Sequence, residues 1–130
     1  GDDAEFNIVY GNLGNDTCLG SAGGDWLRGG QGDDSVSGGA GADLIWGDRG
    51  DDTLQGGAGA DTFNIFGGAN LDRIVDFNAA EGDRLRVEAG FTYTAQQSGA
   101  DVVVDISGGA RAVLVGVTLS SLPSDWIVSG

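Results

Sequence analysis

The chain has 130 residues, among them 26 glycines, one proline and one cysteine, and a formal charge of −14. All six basic residues are arginine, and histidine, lysine and methionine are absent. Such a chain repels nucleic acid and anionic membrane surfaces and attracts cations. Cys18 alone allows neither an intrachain disulfide nor a cysteine-based zinc site, and no apolar run approaches the ~20 residues of a membrane helix.

The chain begins at Gly1 with no recognisable signal peptide, as expected for a piece of a longer protein. Residues 1–10 end in FNIVY (Phe6 to Tyr10), whose β-branched and aromatic character predicts a lead-in strand. Six nine-residue blocks follow without a gap from Gly11 to Asn64: GNLGNDTCL, GSAGGDWLR, GGQGDDSVS, GGAGADLIW, GDRGDDTLQ and GGAGADTFN. Glycine fills the first and fourth places throughout. Aspartate fills the sixth (Asp16, Asp25, Asp34, Asp43, Asp52, Asp61), and an apolar residue fills the eighth (Cys18, Leu27, Val36, Ile45, Leu54, Phe63). Two looser blocks, GGANLDRIV (Gly67 to Val75) and NAAEGDRLR (Asn78 to Arg86), keep the acid as Asp72 and Asp83 and the apolar residue as Ile74 and Leu85.

The period has a physical reading. Glycine-rich sextets turn the chain through conformations closed to other residues, and the last three residues form a short strand with its middle residue facing inward. Two blocks make one coil, so each block lies over the block two places on, ~4.8 Å away. The predicted fold is all-β, a right-handed parallel β-roll (a β-solenoid) over residues 11–87. One row of acids, Asp16, Asp34, Asp52 and Asp72, runs along one edge, and Asp25, Asp43, Asp61 and Asp83 run along the other.

Bare carboxylates at that spacing repel by about 0.9 kcal/mol per adjacent pair in water, and about 3.5 kcal/mol at an effective dielectric of 20. Ordering the backbone costs about 1–2 kcal/mol per residue. A thin core does not offset both, so the rows need a counter-cation. Carboxylates and turn carbonyls are hard oxygen donors, and loose turns suit the irregular six- to eight-fold shell of calcium better than the near-ideal octahedron of magnesium.

The blocks match the motif GGxGxDxUx, and over Gly11 to Asn64, more loosely to Val87, the chain resembles the RTX (repeats-in-toxin) calcium-binding family. The resemblance implies a calcium ion between same-side turns, held by the sixth-place aspartates of both and by backbone carbonyls of the first four places. On this chain the pairs are Asp16 with Asp34, Asp34 with Asp52, Asp25 with Asp43 and Asp43 with Asp61. Asp52 with Asp72 and Asp61 with Asp83 follow across a spacing shifted by Ile65 and Phe66. The implied carbonyl donors are Gly29, Gly30, Gln31 and Gly32; Gly38, Gly39, Ala40 and Gly41; Gly47, Asp48, Arg49 and Gly50; and Gly56, Gly57, Ala58 and Gly59. About four to six calcium ions (Ca2+) would be bound. Asp33 and Asp51, in the free fifth place, read as solvated, and Asp2, Asp3, Glu5 and Glu88 as surface charge.

After Val87 the period stops. FTYTAQ, DVVVDI and ARAVLVGV predict antiparallel strands over residues 88–130 that cap the open roll, with a hairpin turn at SGGA. This region resembles the C-terminal part of RTX proteins such as serralysin-type proteases and polysaccharide-modifying enzymes. That likeness implies a secreted, extracellular bacterial protein, exported by type I secretion machinery under an uncleaved C-terminal signal. DWIV (Asp125 to Val128) has two readings, as the ending of that signal or as a last capping strand.

Chemistry beyond metal binding is not indicated. Without histidine or lysine the common general bases are missing, Cys18 falls on an inward place, and GDRGDD lacks the Gly-Lys-Ser/Thr ending of a phosphate loop. The reading is a non-catalytic module that folds on calcium after secretion and stabilises an N-terminal partner domain carrying any activity. The alternative is a polysaccharide- or cell-surface-binding module of an extracellular enzyme. Trp26, Leu44 and Trp46 fall on outward places, where apolar residues call for a cover. The first expectation is that the C-terminal strands or the segment around Phe6 fold across them. The others are a docked domain or partner, and a stacked sugar ring of a polysaccharide.

Overall fold

The computed structural model describes residues 8–11, 13–20, 23–65 and 71–129. A lead-in strand, β1 (Ile8–Tyr10), precedes the blocks, and each block then contributes one strand near its end: β2 (Thr17–Leu19), β3 (Trp26–Arg28), β4 (Ser35–Ser37), β5 (Leu44–Trp46), β6 (Asp52–Gln55), β7 (Thr62–Ile65), β8 (Leu71–Ile74) and β9 (Arg84–Val87). Odd strands pair in one sheet and even strands in the other, all in parallel, so the chain alternates between two sheets as a β-roll. The register joins equal places of the repeat: Cys18, Val36, Leu54 and Ile74 stack in one sheet, and Leu27, Ile45, Phe63 and Leu85 in the other. All eight are buried and form the core between the sheets. Each contributes about 1.5–3 kcal/mol of apolar burial.

The turns explain the glycines. Gly32 has φ 109°, and a Cβ there would also strike the Gly14 carbonyl of the coil below. A Cβ on Gly38 would strike the Asp43 carboxylate and lie 2.8 Å from the Gly56 carbonyl oxygen.

The spacing shift at Ile65 is absorbed by longer strands. Ile65 pairs with Val87 and both are buried, so the core widens where the repeat loosens. Asp83 is reached through a 3-10 turn, Ala79–Glu81, capped by the Asn78 side chain and closed by left-handed Gly82.

The C-terminal strands β10 (Tyr93–Ser98), β11 (Asp101–Ile106) and β12 (Ala110–Leu114) are antiparallel to one another, with the β11–β12 turn at SGGA. They prolong the even sheet, because β12 pairs with β8. DWIV contributes to β13 (Ile127–Ser129), which pairs in parallel with β9 and prolongs the odd sheet. Phe77 packs between Phe63 and Trp126, with ring centroids 6.1 and 6.3 Å away.

This placement corrects one expectation. The C-terminal strands do not fold across Trp26, Leu44 and Trp46; they add to the edges of β8 and β9, whose unpaired N–H and C=O groups take up a strand. Trp26 is 44% exposed. The other expected cover, the segment around Phe6, lies outside the described residues.

Candidate metal centre

Strand register brings each sixth-place aspartate over its counterpart one coil away. The Asp16 N–H donates to Oδ1 of Asp34 at 2.7 Å, and the same bond links Asp34 to Asp52 (2.8 Å), Asp25 to Asp43 (2.8 Å), Asp43 to Asp61 (2.9 Å) and Asp61 to Asp83 (2.8 Å). One carboxylate oxygen is thereby committed to holding the stack.

The other oxygen is not. Oδ2 of Asp16, Asp34, Asp43, Asp52 and Asp61, and both oxygens of Asp72, are buried and accept no hydrogen bond. Buried polar atoms in this state cost about 1–3 kcal/mol each, and more when charged. Those of Asp16, Asp34, Asp43, Asp52 and Asp61 face the first-place glycines. The space a Cβ would take at Gly11 lies 2.9 Å from Asp16 Oδ2 and 2.5 Å from the Gly29 carbonyl oxygen. At Gly29 the distances are 2.7 Å to Asp34 Oδ2 and 3.0 Å to the Gly47 carbonyl oxygen. Gly20 brings Asp25 Oδ2 and the Gly38 carbonyl together in the same way. A carboxylate oxygen and a carbonyl oxygen one coil on therefore converge beside a residue without a side chain.

Burial raises the carboxyl pKa of six members of the rows. It carries Asp43 to about 6, Asp52 to about 7 with help from the Asp34 charge, Asp61 to about 8 with help from Asp83, and Asp72 to about 9 with help from Asp52. Asp34 and Asp83 are raised as well, again chiefly by burial. These groups are awkward in isolation and suited to a cation.

The remaining turn residues divide by place. The carbonyls of Gly39 and Gly41 lie against Gly57 and Gly59 of the next coil, and that of Gly32 against Gly50. The Gly30 carbonyl accepts the Arg49 N–H at 3.2 Å. Third-place Gln31, Ala40, Arg49 and Ala58 are exposed at the turn tips. No three histidine, cysteine, aspartate or glutamate side chains converge among the described residues, so a cation here would complete its shell from the backbone. That donor set, all oxygen, fits calcium.

Several roles escaped the sequence reading. Both oxygens of Asp76 accept N–H groups, from Gly56 at 2.9 Å and Gly57 at 2.8 Å. Asp83 differs from Asp43 and Asp61 of its row because its Oδ2 also accepts the Asn78 N–H, at 2.8 Å. Asp33 and Asp51 are exposed as expected, yet Asp33 Oδ1 accepts the Asp51 N–H and Asp51 Oδ1 the Leu71 N–H, extending a ladder begun at Asn15. Asp48 is clamped by Arg28 through bonds of 3.0 and 2.7 Å. For Asp76 the signal was present, an acid directly after an apolar pair, but it falls between two blocks.

A parallel β-roll whose edges carry stacked aspartates and converging carbonyl oxygens is the architecture of calcium-binding repeat modules. The description "RTX calcium-binding nonapeptide repeat" matches four times, over residues 2–27, 19–54, 28–63 and 46–75, and the chain belongs to that family. Its repeats are those typical of type I-secreted proteins. Among solved structures the chain is similar to the extracellular lipase LipA from Serratia marcescens, with a TM-score of 0.80 and 28% identity over 93% of this chain. It spans 20% of that lipase. It is also similar to the AlgE6R3 and AlgE6R2 subunits of the Azotobacter vinelandii mannuronan C5-epimerase. Their TM-scores are 0.70 and 0.69 and their identities 27% and 26%, over 91% and 92% of this chain and 79% and 90% of those subunits. Comparison with curated proteins gives no match.

Proposed function

We propose that this chain is a non-catalytic calcium-dependent folding module of a secreted bacterial protein. The observation that carries the reading is the set of buried carboxylate oxygens without a partner on Asp16, Asp34, Asp43, Asp52, Asp61 and Asp72. Same-row aspartates hold the ions in pairs, with Asp25 and Asp83 completing the second row. The first four places of the turns from Gly29, Gly38, Gly47 and Gly56 supply carbonyl oxygens, and about four to six ions are bound. Calcium supplies the charge compensation and the coordination bonds that the rows lack. The chain's own residues do the rest: the Oδ1 bonds fix the carboxylates in register, and the glycines leave room at the turn.

Without the cation, self-repulsion and glycine entropy keep the chain unfolded, which suits passage through a type I secretion channel. In extracellular calcium, metal binding becomes folding free energy, and the folded roll stabilises an N-terminal partner domain. The extracellular lipase among the similar structures supports this setting. The deciding experiment is circular dichroism during a calcium titration: β-structure should appear with calcium and vanish on chelation. Equal β-content in excess chelator would end the proposal.

A further inference from the structure

Beyond the metal rows, the described surface has a cleft of about 300 Å3 where the end of β1 meets the turns after β3 and β5, lined by Tyr10, Leu13, Arg28, Gln31, Asp48 and Arg49 together with Gly30. That volume is at the lower end for ligand sites and fits one small ring.

The cleft is built rather than incidental. The Arg28 guanidinium lies 5.7 Å from the Tyr10 ring centroid and 5.4 Å from that of Trp46, and it grips the Asp48 carboxylate with two hydrogen bonds. Trp26 packs edge-on against Trp46 at 6.2 Å. Asp48 has φ 67°, and it is the only non-glycine residue with positive φ among the described residues, a conformation that persists where surrounding contacts enforce it. Arg49 and Gln31 face each other across a parallel bridge at the rim. The Arg49 side chain makes no ion pair among the described residues. Tyr10 and Leu13 are 52% and 73% exposed and give the cleft an apolar border.

We infer that this cleft binds a neutral pyranose, a terminal or internal hexose of a glycan. A pyranose offers one apolar face for Tyr10 and Leu13, and vicinal hydroxyls that both donate and accept. The cleft answers with matched groups: Arg49 donates only, the Asp48 carboxylate accepts only, and the Gln31 amide does both. With Asp48 matched by Arg28, a cationic ligand is disfavoured by Arg49, and an acidic sugar by the chain's charge of −14. The inference rests on the folded roll, since the backbone of Gln31, Asp48 and Arg49 belongs to the turns proposed to hold calcium; a chain that folds on calcium yet binds no sugar would fail this inference alone.

The test uses the full chain saturated with calcium and follows the Trp46 indole N–H and Arg49 side-chain resonances by NMR. Cellotriose, maltotriose, mannotriose and trigalacturonate are titrated in turn. At least one neutral trisaccharide should give saturable shifts at both positions, and trigalacturonate should give none. Tyr10→Ala should weaken binding about tenfold, a loss of about 1.4 kcal/mol, while the calcium-induced circular dichroism is unchanged, and Arg49→Ala should weaken it likewise when measured on the calcium-saturated, folded variant. Leu13→Ala, exposed and outside β1, is the second check should Tyr10→Ala disturb β1. The absence of saturable shifts with every neutral sugar, tighter binding of trigalacturonate, or wild-type affinity in all three variants would overturn it.

Discussion

Asp72 lies opposite Asp52 in the register of β6 and β8, and neither of its oxygens accepts a hydrogen bond. Asp83, the corresponding end of the other row, has both oxygens occupied, by the N–H groups of Asp61 and Asn78. The two rows therefore end differently, Asp72 with both oxygens free of hydrogen bonds and Asp83 with both already holding backbone N–H groups.

The first prediction concerns that difference. Asp72→Asn removes a charge whose carboxyl is pushed up to about 9. It should raise the calcium concentration at the folding midpoint about tenfold or more, since a charged ligand is lost. Asp83→Asn should shift the midpoint less. Parallel calcium titrations followed by circular dichroism give the comparison, and a larger effect at Asp83 would contradict the asymmetry.

A second prediction follows from burial. Asp43, Asp52, Asp61 and Asp72 titrate near 6, 7, 8 and 9 when folded, against 3.8 ordinarily. Between pH ~4 and ~9 the folded chain thus binds more protons than the unfolded one, so its calcium-free stability falls as pH rises through that window. A chelated sample should gain β-structure on acidification toward pH ~5. With calcium the sign reverses, because each ligand must lose its proton, and the folding midpoint should move to lower calcium as pH rises. Circular dichroism across pH, with and without chelator, reads both slopes.

Asp76 supplies a third. Its two bonds to the Gly56 and Gly57 N–H groups tie that turn to the segment after β8. Asp76→Ala should destabilise the calcium-loaded roll by about 1–3 kcal/mol through two orphaned donors. Isothermal titration calorimetry should return an unchanged number of ions, and thermal melting a lower transition. Loss of an ion would instead make Asp76 a ligand.

The fourth is steric. Gly38→Ala places a methyl against the Asp43 carboxylate and the Gly56 carbonyl, where a cation is proposed. Strain of about 1–3 kcal/mol and one fewer bound ion should result. Gly90→Ala, strained by its φ of 96° but with open space around its Cβ position and away from the aspartate rows, should keep the full ion count.

The nine-residue period carried most of the fold into view, because it repeats three chemical demands at fixed places. A turn without side chains, an acid at the edge and one apolar residue inside leave little freedom of register, and Cys18 in the core follows from the same logic. What the period could not show lies between blocks or across them. Asp76 sits in the stretch lengthened after Ile65, and the Arg28–Asp48 pair joins residues 20 apart whose meeting depends on the coil geometry. The expectation that the C-terminal strands lie over Trp26 was misjudged for another reason. Strand patterns predict that β10–β13 pair, but not whether they pair at an edge or lie over a face.

The Oδ1 bonds repeat at intervals of 18 residues, each tying an aspartate to the coil beneath it. Every coil therefore receives its order from a neighbour and passes it on, and occupation of one turn biases the next. The sharpness of the response to calcium becomes a function of length. Adding or deleting 18-residue units would steepen or flatten the transition while leaving each turn's chemistry as it is, so this architecture can set its threshold by counting coils.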